Sequence, residues 1–420
     1  MIYDAVVVGA GLAGFVAAAR LAEAGARVTL VAKGVGAIQL APSTIDVLGY
    51  APEPVTSPVD ALSRFVADHP LHPYAHLGSD AIRSSLEWFS ARTGDLAYGG
   101  SIDDNMLLPT AVGALKPTAL VPAAMAAGDV RWARRVAIVG WRSLKDFYAP
   151  YLADNLVRAA AQREIDLSAR ALLVDSPNEA GADPGPLGCA RWFEAPASRR
   201  RLMAEIRGRL RSEDAVGFPA VLGVERHAEV WADLQDGLGA RVFEIPTLPP
   251  SVPGLRLLTR YKSDLRSAGA RVVVGSPVVG SESAGDRLQA MVAASAARSR
   301  PVRARDFVLA SGGWAAGGIE MDSRWRVRET ILGLPVAGVP EPGEPRWTES
   351  YLTEHPLGRA GIAVDDHLRP LGTTGEPVYR NLRAAGATLA GALPWREKSG
   401  DGISLSTGHR AAESIIEEKS

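Results

Sequence analysis

Six residues near the start of the chain, Gly9-Ala10-Gly11-Leu12-Ala13-Gly14, have the spacing to hold a phosphate. In a G-x-G-x-x-G turn, Gly9 permits the sharp bend, Gly11 lets a phosphate reach the backbone, and Gly14 lets the next helix pack close to the strand. The first N–H groups of that helix, at Leu12 and Ala13, have no partner within it, and its dipole favours an anion there. The motif alone is weak, because an Ala/Gly-rich helix start uses the same residues. Its context supplies the rest. Ala5-Val6-Val7-Val8 has the length and apolarity of a buried parallel strand. Phe15 to Ala24 reads as an Ala-rich helix closed by Gly25, and Arg27 to Val31 as a second strand. Strand, glycine turn, helix, strand is the order of a dinucleotide-binding unit.

The same pattern expects Asp or Glu at the end of the second strand, bonding the adenosine ribose. Here the residues are Val31-Ala32-Lys33. A hydrogen bond to a charged group contributes about 1.5–3 kcal/mol, so its loss weakens an adenosine-containing cofactor roughly tenfold or more. Either the cofactor lies beside Lys33 without that anchor, or it has no adenosine half, as in FMN.

Three later stretches belong with this turn. Ser43 and Thr44 either cap a short helix that they precede or turn their hydroxyls to the cofactor ring. Asp306 to Ala310 reads as a buried strand running into Ser311-Gly312-Gly313, which brings backbone close to the first glycine turn. Near the C-terminus, Asn381 to Gly386 reads as a strand, and Gly400 to Gly408 as a glycine-rich helix start. The N–H groups at Gly402, Ile403 and Ser404 then face the electron-rich edge of an isoalloxazine. Flavoproteins commonly carry Asp after an Ala-Gly pair such as Ala385-Gly386; Ala387 stands there instead.

Oxidising a carbinol needs a base for its hydroxyl proton, and no residue pattern identifies one. Arg328 and Glu329 clamp a phosphate or organise a carboxylate, or form a structural ion pair. His227 follows Glu225-Arg226 after a short strand. Lys398, with Arg396, binds substrate phosphate or lies in a solvated loop. No metal site is expected.

The elements that must position these groups follow from the whole chain. Its 420 residues are 47% hydrophobic and 22% charged, with a net charge of −1, as in a soluble globular protein of two intertwined domains. The balanced charge excludes a general nucleic-acid binder. No apolar run reaches membrane-spanning length, and the N-terminus has no positive n-region, so a cytoplasmic chain is expected. The single cysteine, Cys189, excludes an internal disulfide, a CxxC pair and an iron–sulfur cluster built from this chain alone. If the protein moves electrons, a flavin or nicotinamide must carry them.

Prolines crowd residues 51–80, a crossover out of the first domain. Ile82 to Ala91 reads as a helix, Arg135 to Val139 as a strand, and Leu144 to Gln162 as a helix. Asp175 to Pro186 reads as an exposed loop. Ser198 is a candidate N-cap for a basic, solvated helix over Arg199 to Arg211. Val216 to Val224 and Ala240 to Ile245 read as strands. The proline-rich segment Pro246 to Gly254 returns the chain along an extended path. Leu255 to Ala268 then reads as a helix and Arg271 to Gly275 as a strand. The expected division is residues 1–75, 250–335 and 375–420 for nucleotide binding, with 76–249 and 336–374 as a substrate or cap domain.

With these pieces placed, the chain resembles the B-subunit family of anaerobic glycerol-3-phosphate dehydrogenase. The matching residues are the Gly9, Gly11, Gly14 turn, Ser43-Thr44-Ile45-Asp46-Val47-Leu48 and His72-Pro73-Tyr74. They continue with Leu248-Pro249-Pro250-Ser251-Val252, Val308-Leu309-Ala310-Ser311-Gly312-Gly313 and Arg328-Glu329-Thr330-Ile331-Leu332-Gly333-Leu334. The proline segment and the Arg328 stretch are the specific ones. The resemblance implies an α/β fold with a Rossmann-like flavin-binding domain, of the glutathione-reductase and succinate-dehydrogenase flavoprotein type, and an inserted cap. It implies FMN as cofactor, with FAD the alternative. It also implies an FAD-containing A subunit and an iron–sulfur C subunit that ties the complex to the inner face of the membrane. The implied reaction is oxidation of sn-glycerol 3-phosphate to dihydroxyacetone phosphate, with electrons passed to a quinone. A free-standing FAD oxidoreductase, or a non-catalytic assembly subunit with a degenerate nucleotide site, are the competing readings.

Overall fold

The computed structural model describes residues 2–174, 185–295 and 298–419. The loop expected from Asp175 lies, up to Pro184, outside the described residues. Strands β1 (Tyr3–Val8) and β2 (Val28–Ala32) pair in parallel, with Val8 opposite Val31, and helix α1 (Leu12–Glu23) links them. All of β2 and the last four residues of β1 are buried, which explains why both read as unbroken apolar runs.

Helix α2 (Gly78–Ser90) buries Ile82, Leu86 and Phe89 in the same core as β1 and α1. The sequence division puts it in the cap; its apolar stripe at helical spacing takes it to the first core instead. A hairpin of β3 (Met106–Pro109) and β4 (Leu115–Thr118) follows, Leu108 opposite Lys116.

The inserted unit has its own core and its own sheet. Its elements are β5 (Arg135–Trp141), α3 (Ala149–Ala161), β6 (Ser168–Val174), α4 (Pro186–Phe193), α5 (Pro196–Arg207), β7 (Ala215–Pro219), α6 (His227–Leu238) and β8 (Arg241–Ile245). The strands lie in the order β8-β7-β5-β6, all parallel, around Ile138, Phe193, Phe218 and Phe243. Both α3 and α5 carry a proline in their first turn, where a missing N–H costs nothing. Ser198 is therefore inside α5 and caps nothing. Arg199 is not on a solvated face: it is buried, donates to Phe193 O at 2.8 Å, and pairs with Glu229 and Asp233.

The chain returns through α7 (Val252–Ser267), capped by Ser251, whose hydroxyl accepts from Gly254 N at 3.1 Å. Then come β9 (Arg271–Val274), β10 (Val278–Ala284), β11 (Arg287–Ala293) and β12 (Arg300–Leu309). The large sheet runs β9-β2-β1-β12-β11-β10. Strand β12 does two jobs. Its first residues pair antiparallel with β11, and its last pair parallel with β1, Val7 opposite Val308. A short hairpin, β13 (Ile319–Met321) and β14 (Val327–Glu329), precedes β15 (Leu382–Ala384), which lies parallel on the far side of β12.

The sequence division also puts residues 336–374 in the cap. Ile362, Val364 and Leu368 join the first core instead, because backbone bonds from Ile362 N to Thr388 O (2.9 Å) and from Ala384 N to Leu368 O (2.8 Å) lay the segment against the C-terminal strand. Helix α8 (Gly400–Glu417) closes the chain against α1.

Candidate functional site

At the N-terminal turn, Gly9 has φ +110°, and a side chain on it would run into Ala310 O; one on Gly14 would run into Gly9 O. These two glycines are required by packing. Gly11 is different: nothing lies within 4 Å of where its side chain would stand. It is the N-cap of α1 and offers no capping side chain, so the N–H groups at Leu12 and Ala13 are left to an incoming ligand.

Three other stretches converge on this turn. Gly313 packs on Ala387 O, Gly386 (φ +80°) would place a side chain 2.9 Å from Ala13 Cβ, and Gly408 lies on Ala13. The hydroxyls of Ser311, next to Ala310, and Thr388, two residues after Gly386, are buried and have no partner among the described residues; that of Ser43, next to the Thr44–Lys116 bond, has none either. Buried hydroxyls are almost always satisfied, so three orphans on converging loops fit a polar ligand lying among them. No helix follows Ser43 and Thr44, because Ile45 forms a bridge with Leu120 instead. Ser43 sits at φ +66° with its carbonyl accepting from the Tyr98 hydroxyl at 2.6 Å. The end of β2 carries no acid: Ala32 is buried, its carbonyl accepts from Gly275 and Ser276 N–H, and Lys33 is exposed. The residues present thus fit the phosphate and ring of a flavin, with no carboxylate at the usual place for a ribose.

A polar cluster lies where α8 begins. Lys116 Nζ donates to Thr44 Oγ1 at 2.7 Å and to Asp46 Oδ2 at 2.8 Å, and the Thr118 hydroxyl donates to Asp46 Oδ1 at 2.9 Å. Asp401, half-buried, stands beside this pair; burial and the Asp46 charge push its carboxyl up to about 7. Gly402 N donates to Asp46 O at 3.0 Å and Ile403 N to Ser399 O at 2.8 Å. The expectation that these two donors face an isoalloxazine is corrected here, since both are engaged within the chain. Ser404 Oγ lies 3.8 Å from where a Gly386 side chain would be.

Immediately before it, Glu397 ties a knot. Its carboxylate accepts from His72 Nε2 (3.2 Å), Ser399 Oγ (2.8 Å), Leu393 N (2.8 Å) and Arg359 Nη1 (3.0 Å). Burial opposes its charge, yet the His72 bond and the others hold its carboxyl below the ordinary range. His72 Nδ1 accepts from Tyr74 N, so Nε2 carries the proton. Burial pushes the His72 pKa down.

The chain is similar to known proteins over nearly its whole length. Residues 4–403 match the FAD binding domain family. A protein of Halobacterium salinarum, named as a probable B subunit of anaerobic glycerol-3-phosphate dehydrogenase, is 35% identical over 99% of this chain and 98% of its own. The B subunit of anaerobic glycerol-3-phosphate dehydrogenase from Pectobacterium atrosepticum is 32% identical over 100% and 99%. The chain belongs to this B-subunit family. Among solved structures, a 3-ketosteroid delta1-dehydrogenase of Sterolibacterium denitrificans is 12% identical, with a TM-score of 0.48, over 99% of this chain and 100% of that one.

Membership of the anaerobic glycerol-3-phosphate dehydrogenase family makes the chain a flavoprotein of the oxidoreductase type. The matching domain supports a flavin, typically FAD; FMN as the first expectation gains no support from it. In this B-subunit chain the other sequence candidates fall outside the converging loops. Arg328 is exposed and donates from Nε to Glu320 at 2.7 Å, not to Glu329. Glu329 is buried, accepting from Ile331 N at 2.9 Å and Leu332 N at 2.6 Å in its own turn. His227 is buried at the inserted unit, its Nδ1 bonded to Leu222 O at 2.9 Å. Lys398 lies by the cluster with φ +49°; its ammonium donates to Trp395 O at 2.7 Å, and burial lowers its pKa. Burial pushes the Cys189 thiol up to about 11, leaving it a poor nucleophile. No helix among the described residues is long and apolar enough to cross a membrane.

Asp46, Lys116 and Asp401 are not singled out as site residues by the sequence. A carboxylate between two glycines at a helix start, Gly400-Asp401-Gly402, is the available signal.

Proposed function

We propose that this chain is the flavin-binding B subunit of a glycerol-3-phosphate:quinone oxidoreductase. It holds FAD and oxidises sn-glycerol 3-phosphate to dihydroxyacetone phosphate. It pairs with an FAD-containing A subunit, and its electrons pass to a quinone through an iron–sulfur C subunit, which attaches the complex to the inner face of the membrane. The observation that carries the reading is the convergence of the open Gly11 turn with the orphaned Ser43, Ser311 and Thr388 hydroxyls, in a chain of this family.

The bound flavin supplies a two-electron acceptor. The chain's part is binding and orientation. The N–H groups at Leu12 and Ala13 hold phosphate at the α1 terminus. Ser43, Ser311 and Thr388 complete their hydrogen bonds to the cofactor, and Gly312, Gly313 and Gly386 let backbone approach it. The dipole of α8 stabilises negative charge near its first turn. Lys398, beside the cluster, meets the substrate phosphate.

Anaerobic addition of sn-glycerol 3-phosphate to the purified complex tests this. Bleaching of the flavin band assigned to this subunit is expected. If the flavin on this chain stays oxidised while the A-subunit flavin is reduced and reoxidised by quinone, direct oxidation here is wrong.

A further inference from the structure

Asp401 differs from every carboxylate around it. Both oxygens of Asp46 are engaged, by Lys116 and Thr118, and those of Glu397 by four donors. Among the described residues, no hydrogen-bond donor meets the Asp401 carboxylate. It is half-buried, so part of the residue still reaches the surface. Its place is fixed by the neighbouring glycine. Gly402 N is bonded to Asp46 O at 3.0 Å, and a side chain on Gly402 would stand 2.5 Å from the Tyr74 hydroxyl and 2.8 Å from Asp46 O. Only glycine allows α8 to seat this closely, and the seating puts Asp401 beside the Asp46–Lys116 pair.

We propose that Asp401 is the catalytic base of this site, positioned by Asp46 and Lys116, and that it takes the hydroxyl proton of an alcohol substrate. This rests on the flavin reading above. The O–H bond breaks and its proton goes to an Asp401 oxygen. The carbinol C–H bond breaks, and that hydrogen leaves with its electron pair for the bound flavin. The C=O bond forms; the alcohol is oxidised and the flavin reduced by two electrons.

The charged and titratable groups that face Asp401 are Asp46 from the 43–48 segment, Lys116 from β4, Tyr74 and Tyr98. Glu397 and Lys398 lie in the turn that leads into it. Burial and Asp46 disfavour its ionised form, whereas Lys116 favours it, as does the α8 terminus. The balance near 7 suits a base working at neutral pH.

The test uses Asp401→Asn in the flavin-loaded complex. Reduction by sn-glycerol 3-phosphate should fall by roughly 10²–10⁴, with flavin still bound and still reducible by dithionite. The wild-type reduction rate should rise through a midpoint near 7, and this step should vanish in the variant. Lys116→Met, which removes the favourable charge, should move that midpoint upward. A second readout needs no cofactor. The raised carboxyl lowers folded-state stability as pH climbs from the ordinary value of 3.8 to about 7. The melting temperature of Asp401→Asn relative to wild type should therefore rise across that window and level off above it. An Asp401→Asn rate within about threefold of wild type, loss of flavin in that variant, or an unmoved midpoint in Lys116→Met overturns the proposal while leaving the function intact. A wild-type complex whose flavin is reduced by neither glycerol 3-phosphate nor glycerol overturns both.

Discussion

Two charge clusters in this molecule each pair a carboxylate with a basic side chain and end differently. At the junction of the two cores, Glu244 and Arg256 form a closed set. Arg256 donates to both Glu244 oxygens, at 2.6 and 2.9 Å, and to Gly223 O, while Leu222 N takes up Glu244 Oε1 at 2.8 Å. Burial opposes the Glu244 charge, but Arg256 holds its carboxyl below the ordinary range. At the start of α8, Asp46 and Lys116 form a similar pair, but a second carboxylate, Asp401, is added without a donor of its own among the described residues. A complete set fixes how the inserted unit sits on α7. An incomplete one, with its pKa raised by burial and a like charge, is what a reacting group needs.

The comparison breaks if the closed set can be opened cheaply. Arg256→Ala leaves a buried, unpaired Glu244 carboxylate and should cost roughly 3–5 kcal/mol, measured by urea denaturation. The double change Arg256→Met with Glu244→Leu should recover much of it, because the stranded charge is gone. A loss under about 1 kcal/mol for Arg256→Ala would mean that the junction does not hold the two units together.

Gly14→Ala probes the open end of the molecule. Its side chain runs into Gly9 O, so the turn must shift; a loss of roughly 1–3 kcal/mol should come with loss of flavin, read from the visible spectrum. Ala32→Glu is the converse change. By restoring a carboxylate at the end of β2 it should tighten FAD roughly tenfold and leave FMN affinity unchanged, as measured by fluorescence titration.

pH separates the clusters further. Burial lowers the pKa values of His227 and His72, so each contributes stability that is complete above the unfolded value of 6.5 and is lost as pH falls through the folded value. Melting temperature should therefore drop on acidification below about 6.5. The slope should be shallower in His227→Gln, even though that variant starts lower. The smallest effect should come from Arg328→Ala, an exposed pair with Glu320: within about 1 kcal/mol of wild type, with flavin unaffected.

How much of this was legible depended on whether the cause was local. The N-terminal unit was readable because β2 and the last four residues of β1 are buried and the glycine spacing is dictated by backbone contact. Strands β5, β7 and β8 of the inserted unit were readable one by one, but β6 (Ser168–Val174) was missed, and the parallel order was hidden because β5 pairs with β6 and β7 across long connections. The β10–β11 ribbon was missed: Val278 to Ala284 mixes Gly and Ser with no clean alternation. Turn signals around 336–374 marked loops without saying which core Ile362 and Leu368 would join. The sequence reading starts α7 three residues late, at Leu255 and not Val252, because Pro253 suits a first helical turn as well as a linker. The site was half legible. Glycines announce themselves by spacing, whereas Asp46, Lys116 and Asp401 come from three distant stretches and acquire meaning only when Gly402 seats α8 on Asp46.

The central claim is that the converging loops hold a flavin. Purifying the chain gently, recording its visible spectrum, then denaturing it and identifying the released cofactor by chromatography tests this directly. The account predicts a yellow protein that releases FAD. Released FMN would contradict the FAD assignment, and a colourless chain that takes up neither flavin, even with its partner subunits present, would contradict the site itself.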